Sequence, residues 1–262
     1  MQRRRFLTGI AGGVTVGTAG CSAPLGGGDT AITDVEWLDG DGLDADLLAE
    51  RHSDALVEAG SFELFSTAET THDGDEEPSR WLPSQEYEAR FETERDRQYL
   101  RQELTDAEEP DVFELYVADD EAFGRETAGD EVVSNRRSID RSSEAFREAM
   151  REESRAGVAG VGGWNMTVED RMAEFDGERT VMLVADEFTG DAGVPEAVAT
   201  AEATMHVTAD GVVPSLDQWW EGTQRGQGAS VEVDIAFRDV GETTVDEPDW
   251  VADVRESDDG GT

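Results

Sequence analysis

The sequence predicts an α+β domain built on one antiparallel sheet and carried behind an N-terminal export segment. Three observations lead there. Apolar residues recur at helical spacing in two places, Leu43–Ala59 and Ser143–Arg155. Around them the period drops to two, in short runs separated by polar or glycine-containing turns. No linker, composition shift or internal repeat divides residues 31–256, so the two β-rich halves on either side of the second helix read as one sheet.

Leu43, Leu47, Leu48, Ala55 and Leu56 place an apolar stripe on the first helix, with Asp41 or Asp44 as its cap and Gly60 as its stop. Ser61–Thr71 then alternates Phe62, Leu64 and Ser66 against Glu63, Phe65 and Thr67. The loop His72–Pro78 closes that strand. Gln85–Arg97 alternates more strictly, with Tyr87, Ala89, Phe91 and Thr93 on one face and charged residues on the other, the pattern of a half-buried antiparallel strand. Tyr99–Leu104 and Val112–Ala118 continue the meander, and Phe123 follows a turn at Asp119-Asp120. The second helix carries Ala145, Phe146, Ala149 and Met150 on one face, capped by Ser142 or Ser143. Strands return at Arg179–Phe188, Ala199–Thr208 and Ser230–Val240, with a turn at Asp210-Gly211. Ser257–Thr262 is expected to be a disordered tail.

The first twenty residues have another purpose. Arg3, Arg4 and Arg5 form a basic start, Phe6 and Leu7 follow, and Leu7–Ala19 is apolar but too short to span a bilayer. Thr18-Ala19-Gly20 then places small residues before Cys21, the only cysteine. The R-R-x-F-L run is similar to a twin-arginine signal with Arg3 and Arg4 as its pair, and T-A-G-C resembles a lipobox. Together they imply export by the twin-arginine machinery, which carries folded proteins, cleavage after residue 20 and lipidation of Cys21. One acyl chain holds only marginally, so two are expected. Residues 21–30, rich in glycine, read as a flexible tether holding the domain at the extracytoplasmic face of the membrane. The competing reading is an ordinary cleaved signal with an incidental cysteine.

Charge narrows the function further. There are 62 acidic residues against 21 basic ones, a net charge of −41, and every basic residue is arginine. The acids are interleaved with periodic apolar residues and six tryptophans, which a disordered acidic chain would not need. The composition matches a halophilic surface, whose self-repulsion high salt screens. Such a surface repels phosphate backbones and disfavours nucleic acid. A single cysteine excludes a disulfide framework within the chain.

No catalytic residue, metal site or cofactor is expected. Gly157–Gly163 contains a G-x-G, but it follows a helix, whereas a phosphate cradle precedes one, so it reads as a flexible connection or lid. Asp39–Glu50 imitates a calcium loop until Leu43 and Asp44 fall where an oxygen ligand and a glycine are needed; an acidic helix start accounts for the same residues. His52 is expected at the surface and His206 as a partly buried packing residue. No G-x-S-x-G elbow is present. Asn165-Met166-Thr167 is a candidate N-glycosylation acceptor. Trp164, Trp219 and Trp220 either close the end of a core or line the mouth of a cavity.

With the elements in order, the chain resembles the LolA/LppX-like lipoproteins and the haloarchaeal lipoproteins that look like them. The features that carry this are the turn Val207-Thr-Ala-Asp210-Gly211-Val212, the strand Phe113-Glu-Leu-Tyr116 and the closing Val240-Gly241…Pro248. The resemblance implies a curved antiparallel half-barrel with the N-terminal helix and the helical insert packed across its concave face. It also implies an apolar inner surface able to hold a lipid or other hydrophobic ligand. It transfers no binding residue, so the candidate lining is taken from this chain's strand positions and tryptophans: Phe62, Leu64, Tyr87, Phe91, Phe113, Leu115, Trp164, Trp219, Trp220 and Phe237. The expected function is a lipid-anchored binding protein. The alternatives are an envelope interaction module without a small ligand and, after it, an exported hydrolase. The sequence carries no signal for the oligomeric state.

Overall fold

The computed structural model describes residues 31–33, 35–73, 83–105, 111–190, 197–224 and 226–259. The expected export signal (Arg3, Arg4, Phe6, Leu7), Cys21, the expected tether and the acidic stretch from Gly74 to Pro78 lie outside them. Residues 31–262 form one unit.

The unit opens with a two-residue hairpin, β1 (Leu38–Asp39) and β2 (Gly42–Leu43). Asp41, on the turn between them, pairs with Arg171. Helix α1 (Ala45–Ala59) starts where the Asp44 carboxylate accepts the Leu47 amide at 3.0 Å, and it ends at Gly60, held left-handed at φ +83°. The supposed calcium-like acids therefore make a hairpin turn and a helix cap.

Six strands follow as consecutive hairpins: β3 (Ser61–His72), β4 (Gln85–Glu92), β5 (Arg97–Leu104), β6 (Asp111–Ala118), β7 (Glu121–Ala128) and β8 (Glu131–Ser138). Helix α2 (Ser143–Ala159), capped by Ser142, runs into a 3₁₀ turn at Gly160–Gly163. The second meander is β9 (Thr167–Phe175), β10 (Glu178–Ala185), β11 (Ala197–Thr208), β12 (Ser215–Gln224) and β13 (Gln227–Arg238), and helix α3 (Asp249–Asp259) closes the chain. Among the described residues all 13 strands join one open, curved antiparallel sheet in the order β1-β2-β9-β10-β11-β12-β13-β3-β4-β5-β6-β7-β8, an α+β half-barrel.

The boundaries depart from expectation in specific places. The strand expected over Gln85–Arg97 breaks at Glu92, because Thr93–Asp96 forms the β4–β5 turn with Asp96 at φ +47°. Strands β8, β9 and β12 and helix α3 had no counterpart in the periodicity, and α3 runs to Asp259, past the tail boundary expected at Ser257.

Each face of the sheet is covered in part, by different segments. On the inner face α1 and α2 pack over β3, β4 and β10–β13, burying Leu48, Leu56, Phe146 and Met150 against Phe62, Phe91, Leu183, Met205 and Leu216. Gly157 permits this approach, since a Cβ there would sit 2.8 Å from the Phe237 ring. On the outer face Val245, Val251 and Val254 pack over Tyr116 and Phe123 of β6 and β7. Buried Glu92 pins that crossing by accepting the Val245 amide at 2.9 Å and Arg95 Nη2 at 2.7 Å. Burial pushes the Glu92 carboxyl up, but these bonds outweigh it and hold it below the usual range.

His52 corrects the expectation of a surface residue, being fully buried on α1. Its Nδ1 accepts the Val213 amide at 3.1 Å, and its ring meets Phe237 edge-on with centroids 4.3 Å apart. The one proton of the neutral ring is therefore on Nε2. His206 is partly buried as expected, 3.0 Å from the Thr180 hydroxyl and with its ring 5.1 Å from that of Phe175 at a 35° tilt.

A candidate ligand-binding surface on the inner wing

Strand register lays the inner face out in continuous rungs. One runs Phe62, Phe91, Gln98, Val117 and Ala122; the next runs Leu64, Ala89, Leu100, Leu115 and Gly124; a third runs Ser66, Tyr87, Gln102, Phe113, Glu126 and Val133. Side chains in register on one face pack with their cross-strand neighbours, so each rung is a strip of surface.

Under the helices those strips are filled. Phe62, Leu64 and Phe91 pack in the core and do not border open space, with Phe62 and Phe91 centroids 5.1 Å apart and Phe91 meeting Phe146 of α2 at 6.1 Å. Phe237 is buried among them and also reaches the wall of an open groove of about 780 Å³ shared with Phe175, Asp210 and Arg238. The groove's rim is acidic.

Tyr87 marks where cover ends. It is half-buried, and its hydroxyl donates to Glu153 of α2 at 2.6 Å. Burial, with the Glu153 carboxylate, pushes the phenol above its ordinary range. Beyond it exposure rises strand by strand: Leu100 and Leu115 are half-buried, Phe113 is 43% exposed and Val133 is 53% exposed. Gly124 adds no side chain to this floor, and the Asn135 amide lies over it, 3.1 Å from where a Cβ would be. Gln102 bonds Gln85 at 2.7 Å, and Glu126 stands between Phe113 and Val133. The result is an apolar patch on the inner face, Leu100, Leu115 and Phe113, separated from Val133 by the Glu126 carboxylate and framed by amides. Apolar lining with a few convergent polar groups is the usual make-up of a small-molecule site.

The tryptophans divide. Trp164 and Trp220 are buried and cluster with Phe188, with centroids 5.0 to 5.8 Å apart. Both indole N–H groups are buried without a partner. Trp219 points to the other face, between Glu202 and Glu232. The glycine run is tied down at its Trp164 end: the Gly163 carbonyl accepts the Thr189 amide at 2.8 Å and the Gly190 amide at 3.1 Å. A Cβ on Gly163 would lie 2.7 Å from Phe188. Asn165 is exposed, as use of a glycosylation acceptor requires.

The outer face opposite β12, β13 and β3 is a carboxylate ladder. Asp217 lies opposite Asp234, and Glu232 opposite Glu69. Like charges directly across a sheet destabilise it. Burial first, then neighbouring acids (Asp234 in both cases), push the Asp217 and Glu232 carboxyls up. Salt relieves that repulsion.

Of this surface, sequence reading named Phe113 and Leu115. It missed Val133, because β8 has no inside–outside alternation to mark it. Leu100 sat on an expected strand, but among charged neighbours, Arg97 and Arg101.

A profile of a family of unknown function (DUF7537) matches residues 6–254. Among solved structures the chain is similar to the crystal structure of a DUF1329 family protein from Desulfovibrio piger, with 11% identity, coverage of 82% of this chain and 97% of that one, and a TM-score of 0.23. No curated protein matches it.

Proposed function

The chain belongs to DUF7537, a family of unknown function, and we propose that it is a lipid-anchored extracytoplasmic binding protein that holds an apolar, acyl-chain-like ligand on its inner wing. The observation that supports this most is Phe113, a large apolar side chain 43% exposed on the inner face, one rung from half-buried Leu100 and Leu115. Isolated exposed apolar residues are ordinary, but a contiguous exposed patch marks an interaction or ligand site. The anchor reading rests on the order of Arg3, Arg4, Phe6, Leu7 and Cys21 at the N-terminus. The acidic, lysine-free composition supports a halophilic setting.

The test is native mass spectrometry of the mature chain purified at high salt from its own host, then organic extraction. A stoichiometric apolar molecule, co-purified or taken up on incubation, is the expected result. Phe113→Asp should weaken its binding at least about tenfold, the equivalent of ~1.4 kcal/mol, with circular dichroism unchanged. A clean apo mass with no uptake would end this reading in favour of an envelope interaction module. The anchor has its own check: Cys21→Ala should move the protein from the membrane fraction to the medium, and retention in the membrane would refute lipidation there.

A further inference from the structure

Strand β8 is unlike the other strands. Seven of its eight residues are exposed, Arg136 being half-buried, and among the described residues nothing pairs with its second edge. Val132 on the outer face and Val133 on the inner face are 52% and 53% exposed. It carries no proline or bulge, and an eight-residue unblocked edge is a template for strand pairing.

The direction of that edge follows from the hairpin. The Ile139 amide donates to the Asp120 carbonyl at 2.8 Å, so odd-numbered residues turn their N–H groups to β7. The amides of Val132, Ser134, Arg136 and Ser138 then point away from the sheet. Charge is distributed unevenly along the strand. Glu131 stands at one end and Arg137 at the other, both exposed on the inner face, and neither forms an ion pair among the described residues. With Arg136 the strand sums to −1 + 2 = +1, in a chain of net charge −41. Most of the surface repels another copy; this edge does not.

We propose that β8 is a homodimer interface, pairing antiparallel with β8 of a second copy about a two-fold axis at Ser134. Side chains opposite one another in an antiparallel pair share a face, so the register must join residues of like parity. Centred on Ser134 it sets Glu131 opposite Arg137 twice, Val133 opposite Asn135 and Val132 opposite Arg136. Both unpaired charges find partners in one arrangement, and the outward amides of Val132, Ser134 and Arg136 meet carbonyls of the second copy. The interface is isologous, the form closed dimers take. The two inner wings would then lie side by side in one continuous sheet.

The experiment is light scattering on the chain from residue 21 onward carrying Cys21→Ser, in high salt. The expected mass is twice that of one chain. Ser134→Pro should return it to monomer with unchanged circular dichroism, because that amide makes no bond to β7 and proline is tolerated on a free edge. Ser134→Cys should give a disulfide-linked dimer on mild oxidation, since facing residues about 5.5 Å apart can bridge. A parent protein that stays monomeric at its highest soluble concentration overturns the proposal. So does a dimer that survives Ser134→Pro, or one that Ser134→Cys does not cross-link.

Discussion

Phe237→Ala is expected to destabilise the protein by about 3–5 kcal/mol, read as a fall in the midpoint of denaturant unfolding at constant salt. Phe237 lies on β13, where the sheet's two halves meet, and it is 3% exposed. Its ring contacts Phe62 of β3 at 5.8 Å and His52 of α1 at 4.3 Å, and it fills the space that Gly157 leaves on α2. Truncation would open a void bordered by three elements whose backbones are fixed elsewhere, so little collapse can offset it. A loss under about 1 kcal/mol, the range of volume-conserving swaps, would show that the helices do not rest on the sheet as described.

Lowering the pH should destabilise the fold strongly, with His52 supplying much of the slope. Burial lowers its pKa from 6.5 to about 3. The unfolded chain therefore binds a proton that the folded chain refuses. The stability this ring contributes is fully present above pH 6.5 and is lost as pH falls towards 3, up to roughly 5 kcal/mol. Asp217 and Glu232 act in the opposite sense. Their folded pKa values are raised, so the fold gains protons more readily than the unfolded chain and recovers some stability as pH falls through them. His52→Gln, which keeps an acceptor for the Val213 amide but does not titrate, should be less stable at neutral pH and show a flatter acid limb. An unchanged slope between pH 6.5 and 3 would mean that His52 is not held neutral in the core.

How far the sequence discloses this structure depends on where each element lies. Helix α1 is readable because Asp44 and Gly60 bracket an apolar stripe. Strands β3, β4, β6, β10 and β11 are readable because one face is buried and the other wet. Strand β8 is exposed on both faces, so nothing selects apolar residues at alternate positions. Strand β12 disguises its pattern by burying Gln218 between Leu216 and Trp220 while Trp219 faces outward. Helix α3 is rich in acidic residues, and of its described side chains it buries Val251 and Val254. His52 defeats a residue-by-residue reading because its partners, Val213 and Phe237, are distant in sequence. The inner patch was half legible for a related reason: its floor is visible as strand residues, but where the helices stop covering it is a tertiary fact.

The ladder between β3 and β13 joins Glu63 to Arg238 and runs down the middle of the sheet. Its two strands leave the ribosome at nearly opposite ends of synthesis. Until the second arrives, Phe62 and Leu64 lack Phe237, and one side of β3 has no partner. Such non-local closure makes for slow folding, with an exposed edge in the interval. A chain that ends before Gln227 would hold two meanders with no seam between them. If the N-terminal segment does address a translocon that accepts only completed folds, this central seam is what makes acceptance a test of integrity: a chain that has not zipped it would stay in the cytoplasm.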